Sequence, residues 1–414
     1  MLYFLSLKPG HFKVFNTPLD SFWCCTGTGV ENHAKYGDSI YFHDDAALWV
    51  NLYIASELTW AEKGLTIRQE TGFPVEQGTT LKIKAAKPVK LALHLRVPYW
   101  AKSGVMLKVN GGAQDVASAR PESYLTIDRE WADGDQVEFS LPMSLHLYHA
   151  ADLKNNVAIL YGPLVLAGEL GRDHFPTTEQ VRNQNDLNNL RSPRVPALVS
   201  ETEDPSAWLK PTPGRPLAFT TVGLGRPHEV TLTPLYQVNH QRYTVYWKLL
   251  SPSEWADHQK ELKAEDERLR AEAARLVDEA GFGQEQPERD HNMQSENSKA
   301  GQFNGRFYRD AWAGGWFSCR MKVLPGLAQA LRCTYWGSDK GGREFDVLID
   351  DTKAATELLK AAHPGEFYTT DYPIPAALIA GKSAITVKFQ AHAGRMAGGV
   401  FGCAVMRDEK VSDH

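Results

Sequence analysis

Two adjacent thiols, Cys24 and Cys25, are the residues of this chain best suited to chemistry. They stand in Phe22-Trp23-Cys24-Cys25-Thr26-Gly27-Thr28-Gly29, ahead of a segment, Val30–Tyr36, that reads as a short helix. A thiolate is the nucleophilic and metal-binding form of cysteine. Its pKa falls at a helix N-terminus, where unpaired backbone N–H groups point outwards. The predicted helix begins one turn after the thiols. Neighbouring cysteines cannot easily bridge across one peptide unit, so a disulfide between them is the least fitting reading. A metal, a reactive thiolate or both remain, beside the plainer alternative of two thiols packed as small hydrophobes.

The surrounding residues admit similar pairs of readings. Thr26 or Thr28 is expected to cap the helix and so fix the orientation of the thiols. His43-Asp44-Asp45 has metal-ligand types, but its place between two strand-like segments makes it an acidic turn.

The rest of the chain must position these groups. With 414 residues it can form two or three domains that each bury a core. A net charge of -5, from 45 basic and 50 acidic residues, supplies no field for nucleic acid or an anionic membrane. Neither is expected as a partner. No apolar run reaches the roughly 18 residues that span a bilayer. The opening Met1–Gly10 lacks a basic n-region and a small-residue cleavage site, so it does not read as a signal peptide. It reads as protein interior, and a periplasmic or secreted location stays open. The five cysteines are too few for a disulfide framework, although a Cys319–Cys333 or Cys333–Cys403 bridge is compatible with the sequence.

After Gly37-Asp38 the pattern changes to period 2. Ser39–His43, Ala47–Ile54, Leu65–Glu70, Thr80–Ala85, Val89–Val97, Val105–Val109, Ser123–Ile127 and Gln136–Leu141 read as strands separated by turns. Such spacing predicts a β-sandwich over residues 39–170, with Val157–Gly168 returning to its core as a strand bent at Gly162-Pro163. Residues 171–252 read as a loop-rich extension that comes back to the sandwich at Tyr236–Trp247. A linker helix is expected over 253–282, where Trp255, Leu262, Leu269 and Leu276 recur every seven residues. A mobile polar linker follows over 283–302, then a second β-sandwich or jelly roll over 303–414. In that last unit Trp312, Trp316, Tyr335, Trp336 and Tyr372 offer faces on which a sugar could stack, or else form core. The fold class is thus mainly β.

The run from Phe22 to Phe42, with its Cys-Cys pair, resembles the bacterial β-L-arabinofuranosidases of glycoside hydrolase family 127 and the related family 146. Leu160–Gly168 is similar to a strand of their sandwich domain, and the C-terminal unit to an accessory, carbohydrate-binding-like domain. The resemblance implies that residues 1–38 are the end of a catalytic (α/α) barrel. It also implies a retaining hydrolysis of arabinofuranosides in plant glycans, with a zinc-bound cysteine as nucleophile and a glutamate as acid and base. Carried onto this chain, Cys24 is the nucleophile and a Zn2+ ligand, and Cys25 a second ligand. Glu31 and His33, on the helix beyond, are candidates to face substrate or metal; otherwise they are helix-dipole and solvated residues. The family's acid/base glutamate and remaining zinc ligands precede the cysteine pair, whereas the first glutamate here is Glu31. The chain is therefore expected to be a C-terminal portion, inactive by itself. The competing functions are a non-catalytic carbohydrate-binding or scaffold module and a thiol oxidoreductase. The latter fits poorly, because Cys24-Cys25 lacks the two-residue spacer of dithiol redox motifs.

Overall fold

The computed structural model describes residues 2, 5–21, 24–181, 187, 192–304 and 306–408. Phe22 and Trp23 of the thiol motif, and part of the 171–252 extension, lie outside the described residues. The protein is mainly β and divides into two units, Met1–Asp257 and His258–His414.

In the first unit, alternation decides which face each strand buries. Val89–Val97 buries Val89, Leu91, Leu93, Leu95 and Val97, because successive side chains point to opposite faces. This strand pairs antiparallel with Ser123–Trp131 and parallel with Ala47–Val50. A six-stranded sheet built around Gln136–Ser140, Gly78–Ala85 and Leu65–Glu70 supplies the facing apolar layer. The two sheets share one core that includes Leu48, Ile67, Leu81, Leu93, Trp131 and Phe139. Trp131 tolerates full burial because its indole N–H donates to the Leu91 carbonyl at 2.9 Å.

Val157–Gly168 touches that core only through Tyr161 at its bend. Its halves, Asn156–Tyr161 and Leu164–Glu169, belong to a separate sheet with Tyr246–Leu250 and Thr231–Pro234, and bury Ile159 and Leu166 among Trp208, Leu232 and Trp247. Residues expected to be loop contribute Ala197–Val199, Leu209–Pro211, Phe219–Thr221 and Gly225–Arg226 to the same sheet. Strands of two or three residues are too short to display alternation. The segment ahead of the thiols is tied here as well, through His11–Phe12 on Arg242–Thr244. Arg242, fully buried, donates to the carbonyls of Gly10, Asp173 and His174 and stacks on Phe12.

The long helix runs Pro252–Arg275 rather than to 282. It opens with a capping box, in which Glu254 N–H donates to Ser251 Oγ while Ser251 N–H donates to the Glu254 carboxylate. It stops where backbone pairing takes over, since Leu276–Ala280 lies antiparallel on Met396–Arg407. The apparent heptad therefore ends in a strand residue, Leu276.

The second unit holds a nine-stranded set around a core of Phe317, Cys319, Leu331, Cys333, Val347 and Phe389. The 283–302 segment is not an open linker. It forms a helix, Glu285–Asp290, and a strand, Gln294–Phe303, that follows Arg306–Lys322 from Gln294 opposite Ser318 to Phe303 opposite Arg306. Edge pairing uses backbone groups and needs no apolar face, so polar composition hid it. All five cysteines are free, and no bridge joins Cys319, Cys333 and Cys403, which are buried. Burial pushes the Cys333 thiol well up.

Candidate active site

Helix α1, Cys24–Lys35, starts at the first thiol, so both cysteines occupy its first turn instead of preceding it. Gly27 and Gly29, each worth about 1 kcal/mol against a helix, conceal this start in the sequence. No residue of α1 is buried, and Cys24 and Cys25 are both exposed. Their sulfurs stand 3.7 Å apart. In this chain the two thiols face solvent and are not packed in a core.

Neither threonine caps the helix, because both lie inside it. Thr28 donates to the Cys24 carbonyl one turn back, at 3.3 Å. Thr26 accepts a 3.2 Å hydrogen bond from the amide of Asn16, a buried residue of the strand Phe15–Asn16. This link orients the thiol turn, and no pattern in the sequence announces it. Glu31 and His33 are exposed. At 100° per residue, Glu31 falls on the Cys24 face about 10 Å further along, while His33 falls about 180° away. The His33 ring donates through Nδ1 to the Gly29 carbonyl at 2.8 Å and lies against Tyr36. The structure therefore brings Cys24 and Cys25 together, leaves Glu31 on their side, and turns His33 to a local helix contact. Asp44 accepts from the backbone N–H groups of Ala46 and Ala47, both at 2.8 Å, as an acidic turn does.

Two thiolates bound to one tetrahedral zinc at about 2.3 Å each stand about 3.8 Å apart. The observed 3.7 Å matches that spacing, so the pair fits two corners of such a site. Among the described residues no group of three or more His, Cys, Asp and Glu is placed to hold a metal. The other two corners need donors beyond these.

Residues 1–38 match the family model for the GH127 β-L-arabinofuranosidase catalytic domain, and residues 47–143 that for the GH127 middle domain. The chain is a GH127-like protein. Further along, this GH127-like protein matches a domain of unknown function over 146–249 and a family of unknown function over 272–406. No curated protein matches it. Among solved structures it is similar to a GH127 β-L-arabinofuranosidase from Geobacillus stearothermophilus T6, at 21% identity and a TM-score of 0.41, over 55% of this chain and 37% of that one. It is also similar to a glycoside hydrolase at 20% identity and a TM-score of 0.42, over 59% of this chain and 42% of that one. A family 35 carbohydrate binding module from Clostridium thermocellum aligns at 12% identity and a TM-score of 0.22, over 28% of this chain and 91% of the module. The GH127-like chain thus spans about two fifths of the length of the first two.

Proposed function

We propose that this chain is part of a glycoside hydrolase of the GH127 kind, acting on arabinofuranosides of plant glycans, with Cys24 as nucleophile. The observation that carries the reading is the exposed pair of sulfurs 3.7 Å apart in the first turn of a helix within the segment that matches a GH127 catalytic domain. Cys24 and Cys25 would hold zinc, which when bound keeps a thiolate deprotonated at neutral pH and fixes its position. The helix N-terminus adds to the stabilisation of negative charge on sulfur, since the N–H groups of its first turn are unpaired within the helix.

In the reaction, Cys24 Sγ attacks the anomeric carbon as the bond to the leaving oxygen breaks, and an acid protonates that oxygen. Water then displaces the sulfur and gives a proton back to the same group, so the configuration is retained. Glu31 sits about two helical turns from Cys24 and does not reach the reacting atoms from there. The acid and the remaining metal donors belong to the rest of a GH127 catalytic domain.

Two preparations test this. The 414-residue chain alone is expected to turn over nitrophenyl β-L-arabinofuranoside negligibly and to bind zinc weakly. Joined ahead of Met1 to the preceding part of a GH127 catalytic domain, it is expected to bind about one zinc per chain and to hydrolyse the substrate. Cys24→Ala should abolish that hydrolysis. Undiminished turnover by the Cys24→Ala protein would overturn the assignment.

A further inference from the structure

The second unit carries a surface that the cysteine chemistry does not use. Five aromatic rings follow one another across four strands and the end of a fifth. Phe303 meets Trp336 at 5.2 Å between centroids, Trp336 meets Phe367 at 4.9 Å, Phe367 meets Phe401 at 4.8 Å, and Phe401 meets Tyr308 at 5.3 Å, each ring tilted by 51° to 76° against the next. Each of the five remains at least partly open to solvent, and Phe303 is 46% exposed. Tyr335, one strand position before Trp336, points into the core instead. The Arg306 guanidinium lies 4.6 Å over the Phe367 ring.

A charged group adjoins the rings. Arg343 bridges two carboxylates, with Nη1 3.2 Å from Asp310 Oδ1 and Nε 3.4 Å from Asp339 Oδ1. Gly399 joins the two features. A Cβ placed on it would stand 3.6 Å from Asp339 Oδ2, 3.6 Å from the Tyr308 ring and 3.2 Å from the Phe401 ring, so the acid and the rings converge on one point of the strand. Its neighbour Gly398 has φ of +116°, and a Cβ there would lie 2.5 Å from Asp310 Oδ1. Two glycines thus let the carboxylates come down beside the rings.

We propose that this surface is a carbohydrate-binding site, with single exposed rings of the cluster, Phe303 foremost, as faces against which a sugar packs, and Asp310, Asp339 and Arg343 as hydrogen-bond partners for the hydroxyl groups of a neutral glycosyl residue. Sugars present C–H faces that suit aromatic rings and vicinal hydroxyls that both donate and accept. Carboxylates accept, and a guanidinium with five N–H groups donates. Burial raises the pKa of both aspartates despite the arginine between them, the mark of acceptors taken from water without full compensation. A divalent cation fits less well, because Arg343 already occupies the space between the two acids. The choice of sugar as occupant rests on the hydrolase reading, whereas the location rests on the second unit alone. Of the five aromatics that the sequence nominates, only Trp336 belongs to this cluster. Tyr335 and Tyr372 are core residues joined hydroxyl to hydroxyl, and Trp316 is held by Lys388 and Glu296.

The test is affinity electrophoresis of the whole 414-residue chain in gels containing soluble arabinan, galactan or xylan. Retardation by at least one polysaccharide is expected. Asp339→Asn and Phe303→Ala should each weaken it by about tenfold or more. Phe303 is exposed, so its variant keeps the fold even where a change at Trp336 would not. No retardation in any gel, or retardation unchanged in both variants, overturns the site. So does titration calorimetry that finds calcium or a lysine-rich peptide bound there in place of sugar. Turnover by Cys24→Ala is read in a separate assay, so failure of the hydrolase reading and failure of this site are distinguishable.

Discussion

Asn16 holds Thr26. The amide of a buried strand residue donates at 3.2 Å to a hydroxyl in the first turn of α1, immediately after the two thiols. Since α1 buries none of its own side chains, this bond is a principal tie between the thiol turn and the sheet-bound segment before it. Asn16→Ala should therefore loosen the turn. A lost hydrogen bond of this kind costs about 1 kcal/mol, so amide hydrogen exchange across 24–35 should speed up by about fivefold with little change elsewhere. Exchange rates equal to those of wild type would show that α1 is held by other means.

Exposure separates the cysteines into two classes. Native protein treated with iodoacetamide should gain two carbamidomethyl groups, on Cys24 and Cys25, because the other three thiols are buried. Unfolded protein should gain five. Peptide mass spectrometry reads both numbers, and native labelling at Cys319, Cys333 or Cys403 would contradict the packing of the second unit.

The Arg242 guanidinium has, among the described residues, only backbone carbonyls as hydrogen-bond partners, from Gly10, Asp173 and His174. Arg242→Met keeps much of the apolar stem but orphans three acceptors around a fully buried site. The expected loss is about 3 kcal/mol or more, read as a lower urea midpoint for the first unit. A loss below 1 kcal/mol would mean that water reaches those carbonyls.

Asp346 gives the second unit an acid-sensitive anchor. Burial alone would raise its pKa, yet hydrogen bonds from Lys353, Thr356 and His392 bring it down to about 2. A folded-state pKa below the unfolded one means stability that is fully present above about pH 4 and is lost as pH falls towards 2. Asp346→Asn should cost about 2 kcal/mol at pH 6 and about half that at pH 3. Urea unfolding at the two pH values measures the difference, and a cost independent of pH would refute the linkage.

Much of the fold was legible where one face of a strand is buried and the other is not. Val89–Val97 and Leu65–Glu70 alternate because each divides core from solvent, and the structure places both as their patterns require. Legibility failed where backbone pairing acts without a supporting side-chain pattern. Gln294–Phe303 is polar on both faces, and Ala197–Val199 is too short for a period. The end of the long helix was lost for a related reason, since Leu276 continues a heptad while its backbone already pairs with Met406. At the candidate site, adjacency in sequence was enough to bring Cys24 and Cys25 together. The start of their helix was hidden by Gly27 and Gly29, and with it the facing of Glu31 and His33. The contacts of Trp336 with Phe303 and Phe367 join residues about thirty positions apart in the chain, which only the strand pairing of the second unit makes neighbours.

None of the twelve residues of α1 enters the core of this chain. Replacing a thiol there should leave the melting curve of the 414-residue chain where it was. Screens that score variants by thermal shift would pass over Cys24 and Cys25 in silence, and only assays of labelling, metal uptake or turnover would register that anything had changed.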